Sequence, residues 1–124
     1  MAKIMIVDDA GVIRAILKKY LVAGGHQIVY QATNGLEAVS GYIEHKPDLV
    51  TMDMSMPDMG GIPALKKIMA YDPKAKVIMV SAIDQKDLVV EALAAGAIHY
   101  IVKPVTEHKV VEIIGEVLKP NKLG

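Results

Sequence analysis

Five short apolar runs, each followed by a stretch of helical period, constrain this chain of 124 residues more than any other feature. "IMIV" (4–7), "QIVYQA" (27–32), "DLVTM" (48–52), "KVIMV" (76–80) and "HYIV" (99–102) have strand length. Several are apolar on successive residues, as parallel strands covered on both faces require. Between the first two, Ile13, Ile16, Leu17, Tyr20 and Leu21 make one apolar stripe along a helix. Val110, Ile113, Ile114, Val117 and Leu118 repeat that spacing near the end of the chain. Helices are expected at Gly35–His45, Ile62–Tyr71 and Asp84–Ala95 as well, stopped by turn residues such as Gly24–Gly25, Lys46–Pro47, Asp72–Pro73 and Gly96. The pattern is (βα)5, an α/β fold with an open parallel sheet and helices on both faces.

Length sets residues 1–124 as a single domain. Composition excludes several function classes. Fourteen basic residues balance fourteen acidic ones, and Arg14 is the only arginine, so no basic footprint for nucleic acid or anionic lipid exists. Cysteine is absent, which removes disulfides and thiolate metal sites. The start "MAKIMIVDD" has no secretion-signal pattern, and no apolar run approaches the roughly 18 residues of a membrane span. A cytoplasmic location with no membrane partner is expected. With no Trp or Phe, the core must be Ile, Val, Leu, Met and Ala, and the eight Met residues serve as adaptable filler.

Chemistry collects where the strands end. Asp8 and Asp9 follow the first run, Asp53 the third, Ser81 the fourth and Lys103–Pro104 the fifth, whereas the second ends in "ATNG". Open parallel sheets bind ligands outside the carboxyl ends of their strands, at the switch in strand order. Any one acid here would ordinarily cap a helix or form an Asx turn. Ser81 alone would be a loop serine and Lys103 alone a solvated lysine. Independent capping, however, does not require all of them to share one edge. Three converging carboxylates repel one another, and a hard divalent cation such as Mg2+ relieves them through oxygen ligands alone. A carboxylate between that cation and the Lys103 ammonium is arranged to attack phosphorus and form an acyl phosphate.

These segments resemble the receiver domains of two-component response regulators, most closely stand-alone CheY-like members. "IMIVDDAGVIRAIL" is similar to the acidic-pair opening, and "DLVTMDMSMPDMGG" to the phosphoacceptor segment, with Pro57 and Gly61 following Asp53. "VIMVSA" resembles the hydroxyl-bearing fourth strand and "GAIHYIVKP" the aromatic and Lys-Pro signature. The resemblance implies the flavodoxin/CheY-like strand order 2-1-3-4-5, for which CheY is a standard example. It implies that Asp53 accepts phosphate from a CheA-like sensor histidine kinase. Mg2+ would be held by Asp9, Asp53 and the backbone carbonyl of Ser55, with Asp8 acting through water. Lys103 would contact the phosphate, its bond to Pro104 would be cis, Ser81 would move toward the phosphoryl oxygens and Tyr100 would turn inward.

A downstream partner would read the face formed by helix 84–95, strand 98–102 and helix 106–118, with chemotaxis as the expected pathway. A monomer is expected, with dimerisation on phosphorylation left open. A phosphorelay intermediate or a receiver excised from a longer regulator remain alternatives. Ser55 and Ile83 flank the approach of hydrolytic water and differ from the Asn and Glu of CheY, which implies a different phosphoryl lifetime. A flavodoxin-like electron carrier shares the fold, but Asp8–Asp9 would repel an FMN phosphate, and "DDAGVI" does not supply the G-x-G-x-x-G of a Rossmann enzyme. A phosphatase with paired aspartates would need an acid where Ser55 stands.

Overall fold

The structure is a computed structural model that describes residues 1–82 and 84–119. Strands and helices alternate: β1 (Lys3–Val7), α1 (Gly11–Ala23), β2 (Gln27–Ala32), α2 (Gly35–His45), β3 (Leu49–Asp53), α3 (Gly61–Tyr71), β4 (Val77–Ser81), α4 (Lys86–Ala94), β5 (His99–Val102) and α5 (Glu107–Leu118). All strand pairs are parallel and the sheet order is β2-β1-β3-β4-β5. The order reverses direction beside β1, and β1 and β3 flank the switch.

Alternation along the strands divides the interior into two cores. Met5, Val7, Val50, Met52, Val77 and Met79 face one layer, where they meet Ala38 and Tyr42 of α2, Leu65 and Ile68 of α3, and Val89 and Ala92 of α4. Ile4, Ile6, Leu49, Ile78 and Ile101 face the other layer and pack on Leu17 and Leu21 of α1 and on Val110, Ile113 and Ile114 of α5. Continuous apolar runs are explained by this double cover: a strand with helices on both sides has no face to leave polar. Each core side chain of Leu or Ile size contributes about 1.5–3 kcal/mol by leaving water.

Two strands are displaced by one residue from the limits expected of their apolar runs. β3 starts at Leu49 because Asp48 turns back on β1, its Oδ2 accepting from Lys3 N at 2.8 Å. At its far end Asp53 still pairs with Val80. β4 likewise runs through Ser81, whose carbonyl accepts from Lys103 N at 2.7 Å. Asp53 and Ser81 are thus the last residues of rigid strands and not the first of loops. Helix α4 begins at Lys86, two residues later than the expected Asp84, with Gln85 as an N-cap whose side chain makes no capping bond.

One connection shows why β2 offers no chemistry. Asn34 caps α2 by accepting from Glu37 N at 2.8 Å, and Glu37 reaches back to Thr33 N and Thr33 Oγ1, each at 2.8 Å. This is a variant of the capping box, and it occupies both the Thr33 hydroxyl and the Asn34 carboxamide oxygen. No helix among the described residues is long and apolar enough to cross a membrane.

Candidate functional site

Asp53 is 5% exposed and Asp8 is fully buried, while Asp9 faces solvent. A carboxylate oxygen from each of the three lies within 4.8 Å of the others. Lys103 enters from the end of β5, with Nζ 3.2 Å from Asp53 Oδ1 and 3.4 Å from Asp8 Oδ2. Asp8 directly follows β1 and Asp53 ends β3, the two strands that flank the switch, which is where a parallel sheet opens a crevice.

Each side chain reveals how far an ordinary structural duty accounts for it. Asp8 Oδ1 accepts from Ala10 N at 2.8 Å, an Asx turn that starts α1. Its second oxygen is buried with no hydrogen bond among the described residues, and the Lys103 ammonium stands 3.4 Å from it. Asp53 caps no helix, and its carboxylate meets Lys103 instead. Ser81 Oγ is also buried and unpartnered among the described residues, an arrangement that costs about 1–3 kcal/mol unless a partner arrives. Lys103 is not a solvated lysine, since both its contacts are buried carboxylates.

Burial pushes the Asp53 carboxyl above its usual range, and the Asp8 charge adds to the rise, while Lys103 opposes it. For Lys103 burial pulls downward, but the Asp53 and Asp8 charges outweigh it and the ammonium titrates above its ordinary value. The ammonium is therefore charged at neutral pH and does not fully offset the crowded acids. Oxygen-only donors, one of them lacking a hydrogen bond in a buried position, fit a hard divalent cation and not zinc or copper.

Other expected residues surround this centre. Ser55 lies exposed in the loop after β3. Its Oγ accepts from Gln85 Nε2 at 2.9 Å. The Lys103–Pro104 peptide bond is cis. Tyr100 is 38% exposed and stands at a groove of about 330 Å3 that Ser81, Lys86, Val89 and Val90 also line. Ile83 lies outside the described residues.

The Response regulator receiver domain model matches residues 4–115. The chain belongs to the response regulator receiver domain family. Among curated relatives, this receiver domain is 49% identical to the chemotaxis protein CheY of Thermotoga maritima, across 94% of this chain and 98% of the relative. CheY of Bacillus subtilis is 48% identical, across 94% and 97%. A solved CheX–CheY–BeF3–Mg2+ complex from Borrelia burgdorferi superposes with a TM-score of 0.91 at 38% identity, covering 95% of this receiver domain and 90% of that chain. Members of the family are signalling receivers and not classical enzymes, and they bind Mg2+ at an acidic pocket of the kind found here.

Two contributors to the site gave no signal in the sequence. Arg14 donates from Nη1 to the Asp8 carbonyl at 2.7 Å and from Nε to Gln31 Oε1 at 3.3 Å, tying the acidic loop to β2. Its being the only arginine was visible, but its target was not, because a backbone carbonyl leaves no mark in a sequence. Gln85 joins Ala82 to Ser55, which lies 30 residues before Gln85 in the chain, a contact that no local pattern reveals.

Proposed function

We propose that residues 1–124 act as one phospho-accepting switch in which Asp53 takes a phosphoryl group from the phosphohistidine of a CheA-like sensor kinase. The observation that carries this reading is Asp53 itself, a buried strand-end carboxylate with Lys103 Nζ at 3.2 Å and two further acids close by. One carboxylate oxygen attacks phosphorus as the bond to the leaving group breaks, and the leaving group departs with its electron pair. The product is an acyl phosphate. Lys103, already beside Asp53 Oδ1, meets the incoming phosphoryl oxygens as a fixed positive charge. Bound Mg2+ would neutralise charge on the acids and on the phosphoryl oxygens. Asp9, Asp53 and the Ser55 carbonyl would hold it, with Asp8 acting through water.

Ser81 links the site to the surface. Its orphaned hydroxyl gains a partner when a phosphoryl oxygen arrives, and the same residue lines the groove rimmed by Tyr100. Movement of Ser81 toward the phosphate leaves room for Tyr100 to turn inward, which alters the α4–β5–α5 face. Roughly two added negative charges are enough to bias such a two-state element. The CheY relatives support a role in chemotaxis, and the neighbouring CheX–CheY complex supports a protein partner for the phosphorylated form. Ser55 and Ile83 would set the phosphoryl lifetime.

Incubation with Mg2+ and acetyl phosphate, followed by intact mass, tests the chemistry. One phosphoryl increment is expected for the wild type, and none for Asp53→Asn or with a chelator. An increment that survives both would overturn the reading.

A further inference from the structure

Gln85 occupies the N-cap position of α4 yet makes no capping bond. Caps are normally Ser, Thr, Asp or Asn, whose short side chains reach their own helix. Here the carboxamide is committed elsewhere. Its Oε1 accepts from Ala82 N at 2.7 Å, and its Nε2 donates to Ser55 Oγ at 2.9 Å. The Gln85 backbone N–H also donates to the Ala82 carbonyl at 3.2 Å. One half-buried residue therefore grips position 82 at both of its backbone groups and ties it to the loop after β3.

Both loops adjoin the Asp53 site, leaving it from neighbouring strands. Ser55 lies two residues beyond Asp53, and Ala82 directly follows Ser81, on the neighbouring strand. The strands are locked there by Met54 N donating to the Val80 carbonyl at 3.0 Å. In the resting site the Asp53 carboxylate rests against Lys103. An acyl phosphate brings three more oxygens. The Ala82 N–H is the first backbone donor past β4 at that edge, and in the resting protein Gln85 has already claimed it.

We propose that Gln85 is a positioning residue that latches the Ser55 and Ala82 loops together in the resting state and must release Ala82 before Asp53 is phosphorylated. The inference rests on Asp53 being the phosphoacceptor. The latch stabilises only the unphosphorylated form, so it slows phosphoryl uptake without touching phosphorus. It also couples the site to α4, because a freed Gln85 side chain leaves the start of that helix without its tether to the loop after β3.

Uptake from acetyl phosphate with Mg2+, followed by intact mass over time, reads the latch in the wild type, Gln85→Ala, Ser55→Ala and the double variant. Gln85→Ala should accelerate uptake roughly three- to tenfold, the equivalent of one or two exposed hydrogen bonds. Ser55→Ala, which cuts one of the two ties, should accelerate it less. The double variant should match Gln85→Ala alone, since both substitutions break one connection. A residue that merely started α4 would give additive, slower or unchanged rates, and any of these overturns the latch. Were Gln85→Ala to unfold, Gln85→Met, which keeps the side-chain length and loses both carboxamide bonds, would decide: faster uptake supports the latch and an unchanged rate overturns it. Uptake by the wild type with equal rates in all variants would sink the latch and leave Asp53 as acceptor. Absence of uptake by the wild type would overturn the reading of Asp53 on which the latch depends.

Discussion

Asp53 is held where its charge is least comfortable, in a buried position beside Asp8. A carboxyl whose titration is raised by folding weakens the fold when it ionises. The penalty is absent below the ordinary carboxylate value of about 3.9 and complete once pH has passed the raised value in the folded protein. Asp53→Asn removes it. In chelator at pH 7 the variant should be more stable than the wild type by about 1 kcal/mol, the scale of a single substitution that relieves a partly compensated buried charge. That advantage should fade toward about pH 3, where Asp53 is protonated in both folded and unfolded chains. Urea unfolding of both proteins across this range reads the difference. An advantage that grew on acidification would place the cause elsewhere.

The helices hold these residues by close contacts that tolerate little change. Gly61 begins α3, and a Cβ there would collide with the Asp53 carbonyl and press on Met54. Gly61→Ala must push the start of α3 away from β3, and a loss of about 1–3 kcal/mol is expected from forced overpacking. A lowered Tm in thermal unfolding checks it, and an unchanged Tm would show that the loop yields freely. At the opposite pole Tyr42 of α2 donates to Asp72 Oδ2 at the end of α3 at 2.7 Å. Burial raises the Tyr42 hydroxyl far above its usual titration, and the Asp72 bond adds to the rise, so the group stays neutral at all ordinary pH. Tyr42→Phe should cost about 1 kcal/mol in urea unfolding, the net value of one hydrogen bond. It should leave phosphoryl uptake unchanged, because the pair lies at the far end of the sheet.

At the scale of the whole molecule, the legible part was what periodicity and strand-end position encode. Apolar runs covered on both faces gave the five strands, and helical stripes gave α1 and α5 with their buried side chains. Asp8, Asp9, Asp53, Ser81 and Lys103 were legible because parallel strands deliver their carboxyl ends to one edge. The strand order came from resemblance, since periodicity does not rank strands. What stayed hidden depended on long side chains crossing between elements. Arg14 serves a backbone carbonyl, and Gln85 bridges loops 30 residues apart in sequence. The late start of α4 has the same cause, because the side chain at its cap position is used across the site.

The central claim is that Asp53, and no other acid of the trio, receives the phosphoryl group. Reducing the acyl phosphate with borohydride converts the modified aspartate to homoserine, and peptide sequencing by mass then locates it. Conversion at residue 53 is predicted, with Asp8 and Asp9 intact. Conversion at Asp8 or Asp9, or none in a protein that had gained a phosphoryl mass, would contradict it.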